Sequence, residues 1–85
     1  MKEFKYIITD SEGIHARPAG ELVKVSKDFE SSILIRSNGK TGDCKRIFTV
    51  MALGVKKGQE VILTLEGADE EQAFEAVSKF MKEKL

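Results

Sequence analysis

Apolar residues occupy every second position in two segments, at Phe4, Tyr6 and Ile8 and at Val61, Leu63 and Leu65, which is typical of strands with one buried face. The apolar run Ile33-Leu34-Ile35 indicates a third strand. A fourth, short and polar segment follows Asn38-Gly39, a pair that favours a tight hairpin turn. We therefore predict four strands, over residues 4–9, 32–37, 40–44 and 60–66.

Hydrophobic residues at spacings of three and four predict three helices, over residues 16–27, over residues 47–53 and from residue 69 onward. Gly54 ends the second helix, for which a continuous strand is the alternative because its residue types also favour sheets. Asp69 is expected to cap the last helix in a capping box with Gln72. The apolar stripe of that helix comprises Ala73, Phe74, Val77, Phe80 and Met81.

The element order β-α-β-β-α-β-α predicts an α+β fold in which helices pack on one face of one sheet. A length of 85 residues suits a single domain over residues 1–85. No apolar stretch approaches the roughly 20 residues of a membrane span, so we expect no membrane insertion. The first five residues lack the apolar core of a signal peptide, which predicts a cytoplasmic protein.

The charges balance, with 14 basic and 14 acidic side chains, which argues against nucleic acid as a partner. Their distribution is uneven: residues 40–57 are mainly basic, and residues 60–75 are acidic. If the basic stretch lies near Arg17 and Lys24, an acidic protein partner would be steered to that face.

Metal and thiol chemistry have little basis in this sequence, which contains one cysteine and one histidine. A single cysteine, Cys44, excludes an intrachain disulfide and a cysteine metal cluster. We expect Cys44 to be a small buried residue at a strand end, and we expect neither a metal nor a cofactor.

His15 lies in the run Gly-Ile-His-Ala-Arg-Pro-Ala at residues 13–19. Pro18 suits the first turn of a helix, which places His15 at or beside the helix N-cap. Unpaired backbone N–H groups and the positive end of the helix dipole lie there, and Arg17 adds a cation. Such a position can hold an anion next to an imidazole, so His15 is a candidate phosphoryl carrier. A surface or capping histidine is the alternative.

The second informative segment contains Ile47, Phe48 and Met51. On a helix these three side chains cannot all be deeply buried, so we predict an exposed apolar patch that contacts another protein. The alternative is that all three fill the core. Arg46 stands at the expected start of this helix, where it offers no acceptor for an N-cap bond and faces the positive dipole end.

Together, the element order, the run at residues 13–19, the Asn38-Gly39 turn and the run Val-Met-Ala-Leu-Gly-Val at residues 50–55 resemble the HPr family. These proteins are the histidine-containing phosphocarriers of the sugar phosphotransferase system. The resemblance covers about residues 3–83. It implies a two-layer open-faced sandwich, with a four-stranded antiparallel sheet in the order 1-4-2-3 and three helices on one face.

The resemblance also implies roles for individual residues in a carrier that is not itself an enzyme. His15 would accept a phosphoryl group on Nδ1 from enzyme I, charged by phosphoenolpyruvate, and pass it to enzyme IIA domains. Arg17 and the backbone N–H groups of Ala16 and Arg17 would hold the phosphate. We expect a monomer. The implied docking surface comprises Gly20, Lys24, Ile47, Phe48 and Met51.

The chain departs from the family pattern at Arg46, where many Gram-positive relatives have a serine that an ATP-dependent kinase phosphorylates. The regulatory phosphoserine is therefore absent. Thr49 replaces the usual glycine, and Gly20 replaces the usual alanine or threonine. Two alternatives follow: a specialised paralogue that serves another phosphorelay, or a regulatory binding module that does not use its histidine. Retention of both His15 and Arg17 favours the carrier.

Overall fold

Four strands and three helices follow one another in the predicted order in a computed structural model, which describes residues 1–85. The strands are β1 (Lys2–Ile7), β2 (Ser32–Ser37), β3 (Lys40–Asp43) and β4 (Glu60–Glu66). The helices are α1 (Ala16–Ser26), α2 (Ile47–Met51) and α3 (Glu70–Lys84). The strands form one antiparallel sheet in the order β1-β4-β2-β3, which confirms the predicted α+β fold and strand order.

The alternation of side chains gives the sheet one buried and one open face. In β2, Ile33 and Ile35 are fully buried, whereas Leu34 and Arg36 between them are exposed. Strand β4 crosses the middle of the sheet and repeats this pattern with Val61, Leu63 and Leu65 buried. The helices cover the buried face, and the other face has no covering layer.

Helix α2 is shorter than predicted, and the alternative of a strand in this segment is wrong. The N–H groups of Leu53 and Gly54 donate to carbonyls three residues back, which tightens the chain after Met51. Gly54 then adopts a φ of +64°, which stops the helix. None of the helices is both long and apolar enough to cross a membrane.

Asp69 occupies the N-cap of α3 as predicted, but the predicted capping box with Gln72 is wrong. Its carboxylate accepts hydrogen bonds from the backbone N–H groups of Glu30 and Ser31, each at 2.9 Å, and from the Ser31 hydroxyl. These bonds, the Ser31 hydroxyl first, lower the pKa of Asp69. Asp69 therefore links the α1–β2 loop to the start of α3. Its carboxylate bonds to this distant loop and not to the first turn of its own helix.

The apolar stripe of α3 is buried at Ala73, Val77, Phe80 and Met81, as predicted. Phe74 differs because it is only half-buried and meets Phe4 edge to face, with 5.9 Å between the ring centroids. The stripe thus packs α3 onto the sheet and extends to its edge.

Cys44 is fully buried just after β3, as expected. Burial, with a smaller contribution from the charge of Asp43, raises the pKa of the Cys44 thiol to about 12. The thiolate that thiol chemistry requires is therefore disfavoured.

Candidate functional site

His15 is the N-cap residue of α1, which confirms the placement predicted from Pro18. Its backbone is extended (φ −98°, ψ −177°), and its carbonyl accepts the Ala19 N–H at 3.0 Å. The imidazole makes no capping hydrogen bond, so the ring is free for other contacts. Ala16 and Arg17 occupy the first turn, where backbone N–H groups have no helical carbonyl to reach.

The loop before His15 is held firmly against the segment that precedes β4. The Ile14 N–H donates to the Val55 carbonyl at 3.1 Å, and the Ile14 side chain is buried. Gly13 adopts a φ of +69°, and a Cβ at this position would lie 2.2 Å from the Val55 carbonyl oxygen. Only glycine permits this approach, so the loop presents the His15 ring, 36% exposed, from a fixed backbone.

Two carboxylates face one nitrogen of the His15 ring. Nε2 lies 3.5 Å from Glu12 Oε2 and 3.7 Å from Asp10 Oδ1. These contacts are ion-pair distances when the ring is protonated, and they are longer than good hydrogen bonds. The surroundings of the ring therefore include negative charge, which the predicted basic face did not anticipate.

Arg17 extends into solvent, with 89% of its side chain exposed. Its Nε lies 3.9 Å from Glu21 Oε1, one helical turn further along. An exposed pair at this distance stabilises the protein little, so the guanidinium is free to turn toward an anion at the start of α1. Arg17 can therefore reorient toward a phosphate when one binds at the start of α1.

An open depression of about 260 Å³ lies beside the ring. Lys84, at the end of α3, enters it from a distant part of the sequence. No group of three or more His, Cys, Asp or Glu side chains is arranged to hold a metal ion. The depression is lined by Asp10, His15, Arg17, Pro18, Glu21 and Lys84.

The sequence analysis did not identify four of the charged residues near the ring as site residues, namely Asp10, Glu12, Glu21 and Lys84. Local spacing carried a signal for two of them, since Glu12 precedes His15 by three residues and Glu21 follows Arg17 by four. No local signal connected Lys84 to the histidine, because only the packing of α3 brings it there.

The residues predicted to form the docking surface lie on α1 and α2, and this set is called the docking patch below. Phe48 is 83% exposed and Met51 is 38% exposed, so the alternative that this segment is entirely core is wrong. Ile47 is half-buried, and Lys24 is exposed. The docking patch comprises Gly20, Lys24, Ile47, Phe48 and Met51.

Gly20 and Ile47 join the two helices of the docking patch. A Cβ at Gly20 would lie 3.7 Å from Ile47 Cδ1, which is ordinary van der Waals contact. No neighbouring atom therefore approaches Gly20 unusually closely. An alanine side chain would fit there.

Thr49 attaches the docking patch to the sheet. Its hydroxyl accepts the Asp43 N–H at 2.9 Å and lies 2.9 Å from the Asp43 carbonyl and 2.7 Å from the Arg46 carbonyl. Gly42 makes room for this contact, since a Cβ there would lie 2.7 Å from the Thr49 carbonyl oxygen. Thr49 thus fixes the short helix α2 to β3, which explains a residue that departs from the family pattern.

Arg46 is the N-cap of α2 and makes no side-chain capping bond. We expect Arg46→Ser to stabilise the protein by about 0.5–2 kcal/mol, because a serine hydroxyl can accept a free N–H of the first turn. The change should raise the Tm by roughly 4–8 °C per kcal/mol. Thermal unfolding followed by circular dichroism measures it.

Arg46→Ala is the matched control, since it removes the same cation without supplying a hydroxyl. A Tm for Arg46→Ser at or below that of Arg46→Ala would contradict the capping argument.

Comparison with known proteins agrees with this geometry. The family model described as "PTS HPr component phosphorylation site" matches residues 2–83. The phosphocarrier protein HPr of Mycoplasma capricolum subsp. capricolum is 43% identical over 81 residues, which cover 95% of this chain and 91% of that protein.

Two solved structures illustrate the structural likeness. The histidine-containing phosphocarrier protein of a mycoplasma has a TM-score of 0.93 at 41% identity, over 96% of this chain and 93% of that one. An HPr dimer from Thermoanaerobacter tengcongensis has a TM-score of 0.78 at 38% identity, over 99% and 97% of the two chains. The chain belongs to the HPr family, the phosphocarrier proteins of the phosphotransferase system.

Proposed function

We propose that this protein accepts a phosphoryl group from enzyme I on Nδ1 of His15 and passes it to enzyme IIA domains. The observation that carries the proposal is the position of a half-exposed imidazole at the N-cap of α1 in a member of the HPr family. An imidazole there has a free nitrogen lone pair beside groups that bind an anion.

The proposed transfer needs few protein groups. The Nδ1 lone pair attacks phosphorus in line, an N–P bond forms, and the bond between phosphorus and the donor breaks. The first-turn N–H groups of Ala16 and Arg17 and the Arg17 guanidinium stabilise the negative charge on the phosphoryl oxygens. Because the site is open, a second acceptor can reach the same phosphorus from the opposite side and reverse the chemistry.

Both partners would use the docking patch, since each must bring its reacting group to His15. Lys24 and Arg17 are exposed cations on this side of α1, which suits partners with acidic surfaces. We infer that residues 1–85 act as one domain and as a monomer, because each copy carries both His15 and the docking patch. We place this work in the cytoplasm, where phosphoenolpyruvate supplies the phosphoryl group.

Phe48→Ala should reduce the rate of phosphoryl transfer between enzyme I and this protein about tenfold or more when the concentration of this protein limits the rate. A large exposed aromatic side chain is a typical interface anchor, and its removal commonly costs more than about 2 kcal/mol of binding free energy. Because Phe48 is 83% exposed, the free energy of unfolding should change little. Transfer is measured with labelled phosphoenolpyruvate, and stability by chemical denaturation.

Leu34→Ala is the matched control for Phe48→Ala, since Leu34 is an exposed apolar residue on the open face of the sheet. It should leave transfer unchanged. Leu22→Ala, at a fully buried position, should lower the free energy of unfolding by about 2–5 kcal/mol. Normal transfer by Phe48→Ala would show that the docking surface lies elsewhere.

A regulatory binding module is the second candidate function, and the exposed Phe48 favours it as much as it favours a carrier. Such a module would bind its partner through the docking patch and leave His15 unmodified. Enzyme I with labelled phosphoenolpyruvate distinguishes the two, because only the carrier becomes labelled.

A further inference from the structure

We propose that the carboxylates of Asp10 and Glu12 position His15 by holding the proton on Nε2, so that Nδ1 is left as the nucleophile. This inference rests on the proposed phosphoryl transfer through His15. It assigns Asp10 and Glu12 as positioning residues, which act through the imidazole without touching the phosphoryl group.

The geometry places both carboxylates on the same ring nitrogen, with Nε2 3.5 Å from Glu12 Oε2 and 3.7 Å from Asp10 Oδ1. A carboxylate can only accept hydrogen bonds, so the nitrogen that faces it is stabilised when it carries the proton. A neutral imidazole has one N–H and one lone pair, and a proton held on Nε2 therefore leaves the lone pair on Nδ1.

Asp10 is the fixed member of the pair. Its Oδ1 accepts the Glu12 N–H at 2.8 Å, and its carbonyl accepts the Gly13 N–H at 3.0 Å. Its side chain is only 27% exposed. The loop thus holds the Asp10 carboxylate near the ring before any partner binds.

Glu12 is the adaptable member, with 71% of its side chain exposed. Its carboxylate can move closer when the ring becomes positively charged. Catalytic hydrogen bonds are often long in a free protein and shorten when the reaction develops charge.

The charges divide around the ring. Asp10 and Glu12 face Nε2, whereas Glu21, the other carboxylate that lines the depression, forms no ion pair with the ring. Negative charge at Nε2 repels an incoming phosphoryl group, whereas the N-terminus of α1 attracts one. The two effects direct the phosphoryl group to Nδ1.

The transfer then requires no proton movement. The Nδ1 lone pair forms the N–P bond while the donor keeps the electron pair of its broken bond. The ring retains its Nε2 proton and becomes a phosphoimidazolium cation. Asp10 and Glu12 face that proton and stabilise the positive charge, and the charge is lost again when phosphorus leaves for the next acceptor.

The test is chemical phosphorylation by phosphoramidate, a small donor that needs no docking patch. ³¹P NMR then identifies the phosphorylated ring nitrogen. The native chain should yield Nδ1-phosphohistidine, and the double variant Asp10→Asn/Glu12→Gln should yield a mixture. We expect the share of Nε2-phosphohistidine to rise about threefold or more, as expected for the loss of two exposed charge contacts.

¹⁵N NMR of the neutral ring gives a second readout in the same samples. The share of the Nε2–H tautomer in the native chain should exceed that of a free histidine peptide, and the double variant should return to the peptide value. Glu21→Gln is the matched control, since it removes a carboxylate from the same depression without a contact to the ring. It should change neither readout.

The single variant Glu12→Gln shows whether a changed product ratio comes from loss of positioning or from a folding defect. Glu12→Gln alters an exposed side chain and should keep the native Tm while giving part of the effect. Equal tautomer and product ratios in the native chain and both variants would overturn the inference. Enzyme I labelling of the native chain tests the proposed function independently, because it requires transfer but does not depend on which nitrogen is favoured.

Discussion

His15→Ala should abolish labelling of this protein by enzyme I and phosphoenolpyruvate while leaving its fold intact. The variant removes the chain's only imidazole, so no other residue can form a phosphohistidine. The fold should survive because the ring makes no capping bond and its contacts with Asp10 and Glu12 are long. Incorporation of labelled phosphate measures the first effect, and thermal unfolding measures the second.

The chemical behaviour of the label adds an independent check on the native chain. A phosphoryl group on an imidazole nitrogen is lost in acid and kept in base, whereas a phosphoester on a hydroxyl survives acid. An acid-stable label, or undiminished labelling of a folded His15→Ala chain, would show that another residue is the acceptor.

Gly13→Ala should lower the free energy of unfolding by about 3 kcal/mol or more, the second large effect that we expect. Left-handed backbone costs a residue with a Cβ roughly 1–2 kcal/mol, and Gly13 has a φ of +69°. The new Cβ would lie 2.2 Å from the Val55 carbonyl oxygen, and backbone atoms cannot rotate away. The loop must move, and the Ile14–Val55 hydrogen bond, worth about 1 kcal/mol, is lost.

Displacement of this loop also disturbs the backbone that presents the His15 ring at the N-cap of α1, so labelling of the folded fraction should fall as well. Chemical denaturation gives the free energy. Gly39→Ala is the matched control, because Gly39 has a φ of +73° but no heavy atom within 4 Å of an added Cβ. A similar loss in both variants would mean that contact with Val55 is not the cause.

The sequence by itself determined the elements and the position of the candidate nucleophile. Apolar residues at every second position, such as Val61, Leu63 and Leu65, predicted a strand with one buried face because side-chain direction in a strand has a period of two. Pro18 placed His15 at a helix start because it needs no hydrogen-bond acceptor there. An exposed apolar patch among Ile47, Phe48 and Met51 was predicted because side chains at spacings of one and four on a helix cannot all be deeply buried. These are local rules, which act within one or two turns of chain.

Tertiary structure alone decided the contacts that join distant segments. Asp69 was expected to bond within its own helix, but the Ser31 region, 38 residues away, provides better donors. Lys84 reaches the depression beside His15 only because α3 packs across the sheet, and Gly13 is required only because Val55 lies against it. Spacing along the chain carries no information about such neighbours, since they are brought together by burial of the shared core. The nucleophile was therefore readable from the sequence, whereas the approach of Lys84 and the contact with Val55 depended on the packing of the whole fold.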